Sequence, residues 1–249
     1  MANPSSIPAP RTSSASGRDE APARKGETGS QARRRAKVAV LISGRGSNMA
    51  ALIEAAGLAD YPAEIVLVLS NKAEAGGLAI AAAAGIATSV IPHKGYKDRE
   101  SFDRAMTAAI EASGAELVCL AGFMRLLSPW FCRHWHGRLI NIHPALLPSF
   151  KGLDTHARAL AAGVKIHGAT VHFVIPEMDE GPIIAQGAVP VLPEDDEPAL
   201  AARVLGVEHR LYPEALARVA TGAARMVEGR CVMAPHGPAQ GALMVPSQD

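Results

Sequence analysis

Apolar and polar positions along the chain alternate between two textures. The first is the short, wholly apolar run closed by glycine or polar residues. Val38-Ala39-Val40-Leu41-Ile42 opens the series, ending in Ser43-Gly44-Arg45-Gly46-Ser47-Asn48. Such a run reads as a buried parallel strand, covered on both faces. Further strands are predicted over 64–70, 87–91, 116–120 and 138–142. Between them lie amphipathic or alanine-rich stretches. A helix is predicted from Ser47, as N-cap, to Ala56, with Gly57 closing it. Another lies near 74–84 and stops at Gly85. Phe102, Met106 and Ile110 recur in steps of four within a helix from Asp98 to Ser113. Ser128-Pro129 opens a further helix, with Ser at the cap and Pro in the first turn.

After His143-Pro144 the texture changes. A short helix is predicted over 154–162. Two strand-like runs follow, 167–175 and 182–189, joined by the acidic turn Glu177-Met178-Asp179-Glu180-Gly181. They read as an antiparallel pair. A long helix from Pro198 to Val219 carries Leu200, Val204, Val207 and Leu211 on one face, and residues 225–234 add a last strand. Strand–helix alternation followed by a mixed portion predicts one α/β domain. Its central sheet is mostly parallel, with helices on both faces and an antiparallel C-terminal portion. Ligands are expected at the carboxyl ends of the parallel strands.

Composition divides the chain. Of 249 residues, 25 are Lys or Arg and 24 Asp or Glu, a formal net charge of +1. The first 36 residues alone carry +4, leaving −3 for the remainder. That first segment, rich in Ser and Pro, has little apolar surface to offset its ordering entropy and reads as a disordered tail. The folded domain is placed at 37–235, with a loose tail over 236–249. A body of net −3 argues against a nucleic-acid partner, and no run suits a membrane span. Three cysteines, Cys119, Cys132 and Cys231, form neither a disulfide framework nor a CxxC pair. With no secretory signal pattern, the reading is a cytoplasmic protein.

Three constellations carry candidate chemistry. Gly44, Gly46, Ser47 and Asn48 form a glycine loop at a helix start, a cradle for an anion such as phosphate. The spacing is neither a Walker loop nor G-x-G-x-x-G, which weakens triphosphate and nicotinamide readings. Asn141 and His143 lie two apart at a strand end and so face one side. An amide donor beside an imidazole suits stabilising an oxyanion while moving a proton. Asp179, if brought near, would favour the protonated imidazole. The apolar loop Met124-Arg125-Leu126-Leu127 offers a place for a flat ring. No HExxH or Cys/His set points to a metal.

In order and spacing, several stretches together resemble the folate-dependent glycinamide ribonucleotide formyltransferases. They are residues 40–48, Ser70-Asn71-Lys72, 120–125, Asn141-Ile142-His143-Pro144 with Leu146-Leu147-Pro148, His167-Gly168-Ala169-Thr170-Val171-His172-Phe173, and Asp179 with Gly181-Pro182. The resemblance covers about residues 37–220 and implies a single Rossmann-like formyltransferase domain. It implies transfer of the formyl group of 10-formyltetrahydrofolate, as co-substrate and without a metal, to the amine of glycinamide ribonucleotide. Carried over by position, Asn141, His143 and Asp179 would be catalytic. Gly46, Ser47, Asn48 and Glu208 would hold the ribonucleotide. Arg99, Met124, Arg125, Leu126 and Leu127, with Asn141, would hold the folate, and residues 175–179 would close over the pterin. The implied state is a monomer or homodimer. Ala145 stands where many relatives carry Ser, and Arg45 occupies a variable position of the cradle. A formyltetrahydrofolate deformylase or a non-catalytic nucleotide-binding module remains an alternative. A tRNA formyltransferase is disfavoured, because only about 30 residues follow the long helix.

Overall fold

The computed structural model describes residues 34–234. The tails expected at the two ends lie outside the described residues, with one exception. Residues 34–36, assigned to the tail on composition, belong to the fold. Arg34 pairs with Glu116 at 2.7 Å, the Arg35 guanidinium donates to the carbonyls of Ala56 and Ala63, and Ala36 starts the first strand.

Among the described residues there are nine strands and six α-helices. In chain order they are β1 (Ala36–Ile42), α1 (Ser47–Ala56), β2 (Ala63–Ser70), α2 (Gly77–Ala83), β3 (Ala87–Val90), α3 (Arg99–Ala112), β4 (Leu117–Leu120), α4 (Pro129–His134) and β5 (Leu139–His143). Then come α5 (Thr155–Ala161), β6 (Ile166–Phe173), β7 (Ile183–Pro190), α6 (Glu197–Ala220), β8 (Ala224–Val227) and β9 (Arg230–Met233). A seven-stranded sheet has the order β3-β2-β1-β4-β5-β6-β7. Strands β1 to β5 run parallel, and β6 is antiparallel to both of its neighbours. The last segment, expected as one strand, is a separate two-stranded antiparallel sheet, β8-β9.

Alternation along β1 shows how the layers form. Val38, Val40 and Ile42 point to one face, where Met49 and Leu52 of α1 meet Tyr212, Ala215 and Leu216 of α6. Ala39 and Leu41 point to the other, against Phe102, Met106 and Ile110 of α3, Phe131 of α4 and Trp135 at its C-cap. The strand is therefore apolar at successive positions because helices cover both sides. A smaller cluster of Ala159, Ala169, Val189, Leu200 and Val204 joins α5, β6 and β7 to the start of α6.

Local signals set the helix starts. Asp98 and Ser101 form a capping box on α3, and the Ser128 hydroxyl accepts the Phe131 amide, with Pro129 in the first turn of α4. Gly46, not Ser47, caps α1. It sits at φ 77°, and a Cβ there would lie 2.9 Å from the Gly77 Cα. Close approach of α1 and α2 selects glycine at this position.

One ion pair ties the loop after β7 to α6. Arg203 grips Asp195 with both guanidinium nitrogens, at 2.6 and 2.7 Å, and this hydrogen-bonding holds the carboxyl down at about 2. Because the folded-state value lies below the unfolded one, the pair's stabilisation is complete above about pH 4 and is lost as pH falls towards 2. Denaturant titrations between pH 2 and 5 should therefore show Asp195→Asn losing less stability on acidification than the parent protein.

The sheet order changes direction between β1 and β4: the chain first builds outward through β2 and β3, then returns to place β4 and β5 on the other side. The loops at the carboxyl ends of β1, β4 and β5 flank this switch point. Among the described residues, no helix is long and apolar enough to cross a membrane.

Candidate active site

The first wall of the site is the N-terminus of α1. Its opening N–H groups have no acceptor within the helix. Neither a side-chain cap nor an acidic residue in the first turn competes for them. The loop is held from behind, where the Gly77 amide donates to the Gly44 carbonyl at 3.1 Å. Asn48 donates from Nδ2 to Glu208 Oε2 at 2.6 Å, joining the cradle to α6 across 160 residues of chain. Glu208 is only 6% exposed, and burial raises its carboxyl's pKa. Asn48 Oδ1 is buried and accepts nothing, which leaves an acceptor for a ligand hydroxyl or amine. Arg45 is exposed.

The second wall is the loop after β4. Ser43, at the end of β1, donates to Asn71 Oδ1 at 2.6 Å and accepts the Met124 amide at 2.8 Å. At the other end of the loop, buried Asp103 accepts the Ser128 amide at 2.6 Å. Burial raises its carboxyl's pKa, opposed by that hydrogen bond and by the nearby charges of Arg99 and Arg125. Leu127 packs inward against the α3–α4 face, while Met124, Arg125 and Leu126 are exposed. The loop is thus pinned at both ends and presents apolar side chains to solvent. Arg99, exposed in the first turn of α3, is near this loop through Asp103. Among the described residues no hydrogen bond or ion pair joins it to the His143 cluster.

Beyond β4 in the sheet, on β5, stand further polar residues of the site. Asn141 is half-buried and His143 is 5% exposed. The antiparallel register sets Asn141 opposite His172 and His143 opposite Thr170. His172 Nδ1 is 2.9 Å from the Phe173 carbonyl and therefore carries the proton there. Its Nε2 is left to accept from Asn141 Nδ2 at 3.2 Å. Burial lowers the His172 pKa, which favours this neutral ring. One Asn141 N–H is committed to His172 and the other is available.

His143 faces an acceptor on each side. Nε2 donates to the Phe150 carbonyl at 2.9 Å, and Nδ1 lies 3.5 Å from Asp179 Oδ2. Asp179 in turn accepts the Gly152 amide at 2.8 Å, and its Oδ1 lies 3.9 Å from His172 Nε2. Asp179 sits at φ 55° in the turn leading to Gly181. A Cβ on Gly181 would lie 1.7 Å from the Phe173 carbonyl, so this turn closes on β6 only through glycine.

The structure therefore brings Asn141, His143 and Asp179 together, and Asn48 and Glu208 together beside them. His172 and Phe150 were not singled out from the sequence. Nothing in either residue's local pattern marks it; each acts through pairing register or through a backbone carbonyl. Chemically, the arrangement offers an anion seat, an amide with one N–H uncommitted, and an imidazole beside a carboxylate.

Comparison with known proteins is consistent across sequence and structure. The family model described as formyl transferase matches residues 36–216. The chain is 51% identical over 195 residues to the trifunctional purine biosynthetic protein adenosine-3 of Bos taurus, covering 78% of this chain and 19% of that protein. The chain thus spans about a fifth of the length of these trifunctional relatives. It is 46% identical over 191 residues to the phosphoribosylglycinamide formyltransferase of Escherichia coli K12, covering 77% of this chain and 90% of that one. The crystal structure of the phosphoribosylglycinamide formyltransferase of Brucella melitensis is 55% identical, with TM-score 0.73, covering 79% of this chain and all of that one. A formyltetrahydrofolate deformylase from Pseudomonas syringae shares the fold, with TM-score 0.75, at 27% identity, covering 81% of this chain and 67% of that one.

Proposed function

The chain belongs to the formyl transferase family, and from that premise we propose that it moves the formyl group of 10-formyltetrahydrofolate to the amine of glycinamide ribonucleotide. The observation that carries this reading is the position of the Asn141–His143–Asp179 cluster. It shares the carboxyl-end edge of the parallel strands with an uncapped helix N-terminus suited to phosphate, after β1, and an apolar loop suited to a flat ring, after β4.

The backbone N–H groups at Gly46, Ser47 and Asn48 take the ribonucleotide phosphate. Glu208, held by Asn48, receives the ribose or glycinamide end. Met124, Arg125, Leu126 and Leu127 border the folate ring, and Arg99 meets its anionic glutamate. The amine nitrogen attacks the formyl carbon, and the carbonyl oxygen becomes an oxyanion. The free N–H of Asn141 and the protonated His143 stabilise that charge. The intermediate collapses by breaking the bond to the folate nitrogen. The attacking amine loses one proton and the departing nitrogen gains one, so protons balance through His143 or a water beside it. Asp179 holds the imidazole protonated and oriented. The products are formylglycinamide ribonucleotide and tetrahydrofolate.

His172 bears on rate through its hydrogen bond with Asn141. His172→Phe removes the acceptor that fixes the amide, a hydrogen bond of about 1 kcal/mol. Steady-state kinetics should show kcat falling roughly five- to tenfold, with both KM values little changed. The reading as a whole is tested by following folate absorbance with and without glycinamide ribonucleotide. Turnover that requires the amine supports it. Equal turnover in water alone would reassign the chain to deformylation, and silence in both would leave a binding module.

A further inference from the structure

Asp179 is the expected partner of His143, yet the shorter contact is to a backbone carbonyl. Phe150 O lies 2.9 Å from Nε2, against 3.5 Å from Nδ1 to Asp179 Oδ2. Both ring nitrogens thus lie within 3.5 Å of an oxygen. A neutral imidazole has one N–H and must leave one of these acceptors facing a lone pair; only the imidazolium donates to both.

That carbonyl is held in an unusual place. Phe150 has φ 55°, a left-handed conformation that a bulky side chain seldom adopts. A strained backbone persists where its surroundings fix it, and here the ring is fixed. It stands edge-on to His167, with centroids 5.8 Å apart at 80°, and packs against the apolar cluster of α5, β6, β7 and α6. His167 stands edge-on to His156 at 5.3 Å, and Arg158 lies 5.7 Å over the Phe150 ring. The Arg158 guanidinium also donates to the carbonyls of Lys151 at 2.6 Å and Leu153 at 3.3 Å. Burial pushes His167 down to about 4 and lowers His156 as well, so both are uncharged rings at neutral pH.

We propose that Phe150 and His167 are positioning residues: their ring contact holds the Phe150 carbonyl against Nε2 of His143, and this carbonyl, with Asp179, keeps the imidazole doubly protonated and aimed at the reacting centre. The inference rests on the formyl-transfer reading for its kinetic consequence but not for its protonation claim. The groups facing His143 from the surrounding elements are Asp179 in the turn after β6, His172 and His167 on β6, His156 on α5 and Glu208 on α6.

The test uses Phe150→Ala, which removes the ring, and Phe150→Tyr, which keeps it. Should Phe150→Ala fail to fold, Phe150→Leu fills the apolar site without an aromatic edge. Nitrogen-15 NMR of the His143 ring is titrated in each protein without substrates, and kcat is measured against pH. In Phe150→Ala the imidazolium should be lost at lower pH than in the parent. Its kcat should fall ~10- to 100-fold, with KM for both substrates within about twofold. Phe150→Tyr should restore both readings. A His143 titration in Phe150→Ala that coincides with the parent's would overturn the proposal. Loss of kcat not rescued by Phe150→Tyr would do so too. A displaced titration in a protein that shows no amine-dependent transfer would leave this inference standing and remove the functional reading instead.

Discussion

Replacing Asn141 or His143 by alanine should lower turnover at least a hundredfold while leaving the protein folded. Asn141 has one amide N–H tied to His172 and one unspent. In the proposed reaction the unspent one is the donor for the oxyanion, and loss of one such donor typically costs ~10² to 10³ in rate. The interaction grows as charge develops, so the loss should appear in kcat more than in KM. In the same proposal His143→Ala removes a donor and the proton relay together, and its loss should be at least as large. Neither residue belongs to the apolar clusters of the core. Asn141 is half-buried and, among the described residues, its side chain bonds only to His172; Leu139, Ile140 and Ile142, which carry the apolar packing of β5, are untouched. Circular dichroism and thermal melts should match the parent. Near-normal turnover in either folded variant would remove that residue from the chemistry.

Asp179→Asn should alter the pH dependence as well as the rate. The carboxylate lies 3.5 Å from His143 Nδ1 in a half-buried turn, where an opposite charge acts through less water than at an open surface. Asparagine keeps the shape and an acceptor for the Gly152 amide, but removes the charge. Protonated His143 is the working form in this account. Removing its carboxylate should therefore shift the limb on which activity falls with rising pH to lower pH. The rate near neutrality should fall about tenfold or more, the range usual for an acid–base contribution. A reduced rate with an unmoved profile would make Asp179 a purely structural tie to Gly152.

Much of this arrangement is readable in local sequence because local physics decides it. The apolar run 38–42, the helix-opening pairs Asp98–Ser101 and Ser128-Pro129, and the glycine loop each declare themselves within a few residues. The two-residue spacing of Asn141 and His143 likewise predicts a shared side. Other features depend on where distant segments meet. His172 comes to Asn141 only through the antiparallel register of β5 and β6. Phe150 contributes a carbonyl, which has no residue-type signature, and the Gly46 cap answers to Gly77 across the α1–α2 contact. The β8–β9 hairpin is hidden for a more local reason. Its turn residues, Glu228 and Gly229, both have positive φ, at 48° and 72°. Glu at the first of these is outside the Asn, Asp and Gly set that usually announces such a turn.

The central claim is that the formyl group goes to an amine, and the fate of a labelled formyl carbon tests it most directly. The protein is incubated with 10-formyltetrahydrofolate carrying carbon-14 in the formyl group and with an excess of glycinamide ribonucleotide. The label should be recovered in formylglycinamide ribonucleotide, one equivalent for each tetrahydrofolate formed, and Asn141→Ala should abolish most of it. Label recovered as formate, at a rate indifferent to the ribonucleotide, would contradict the account.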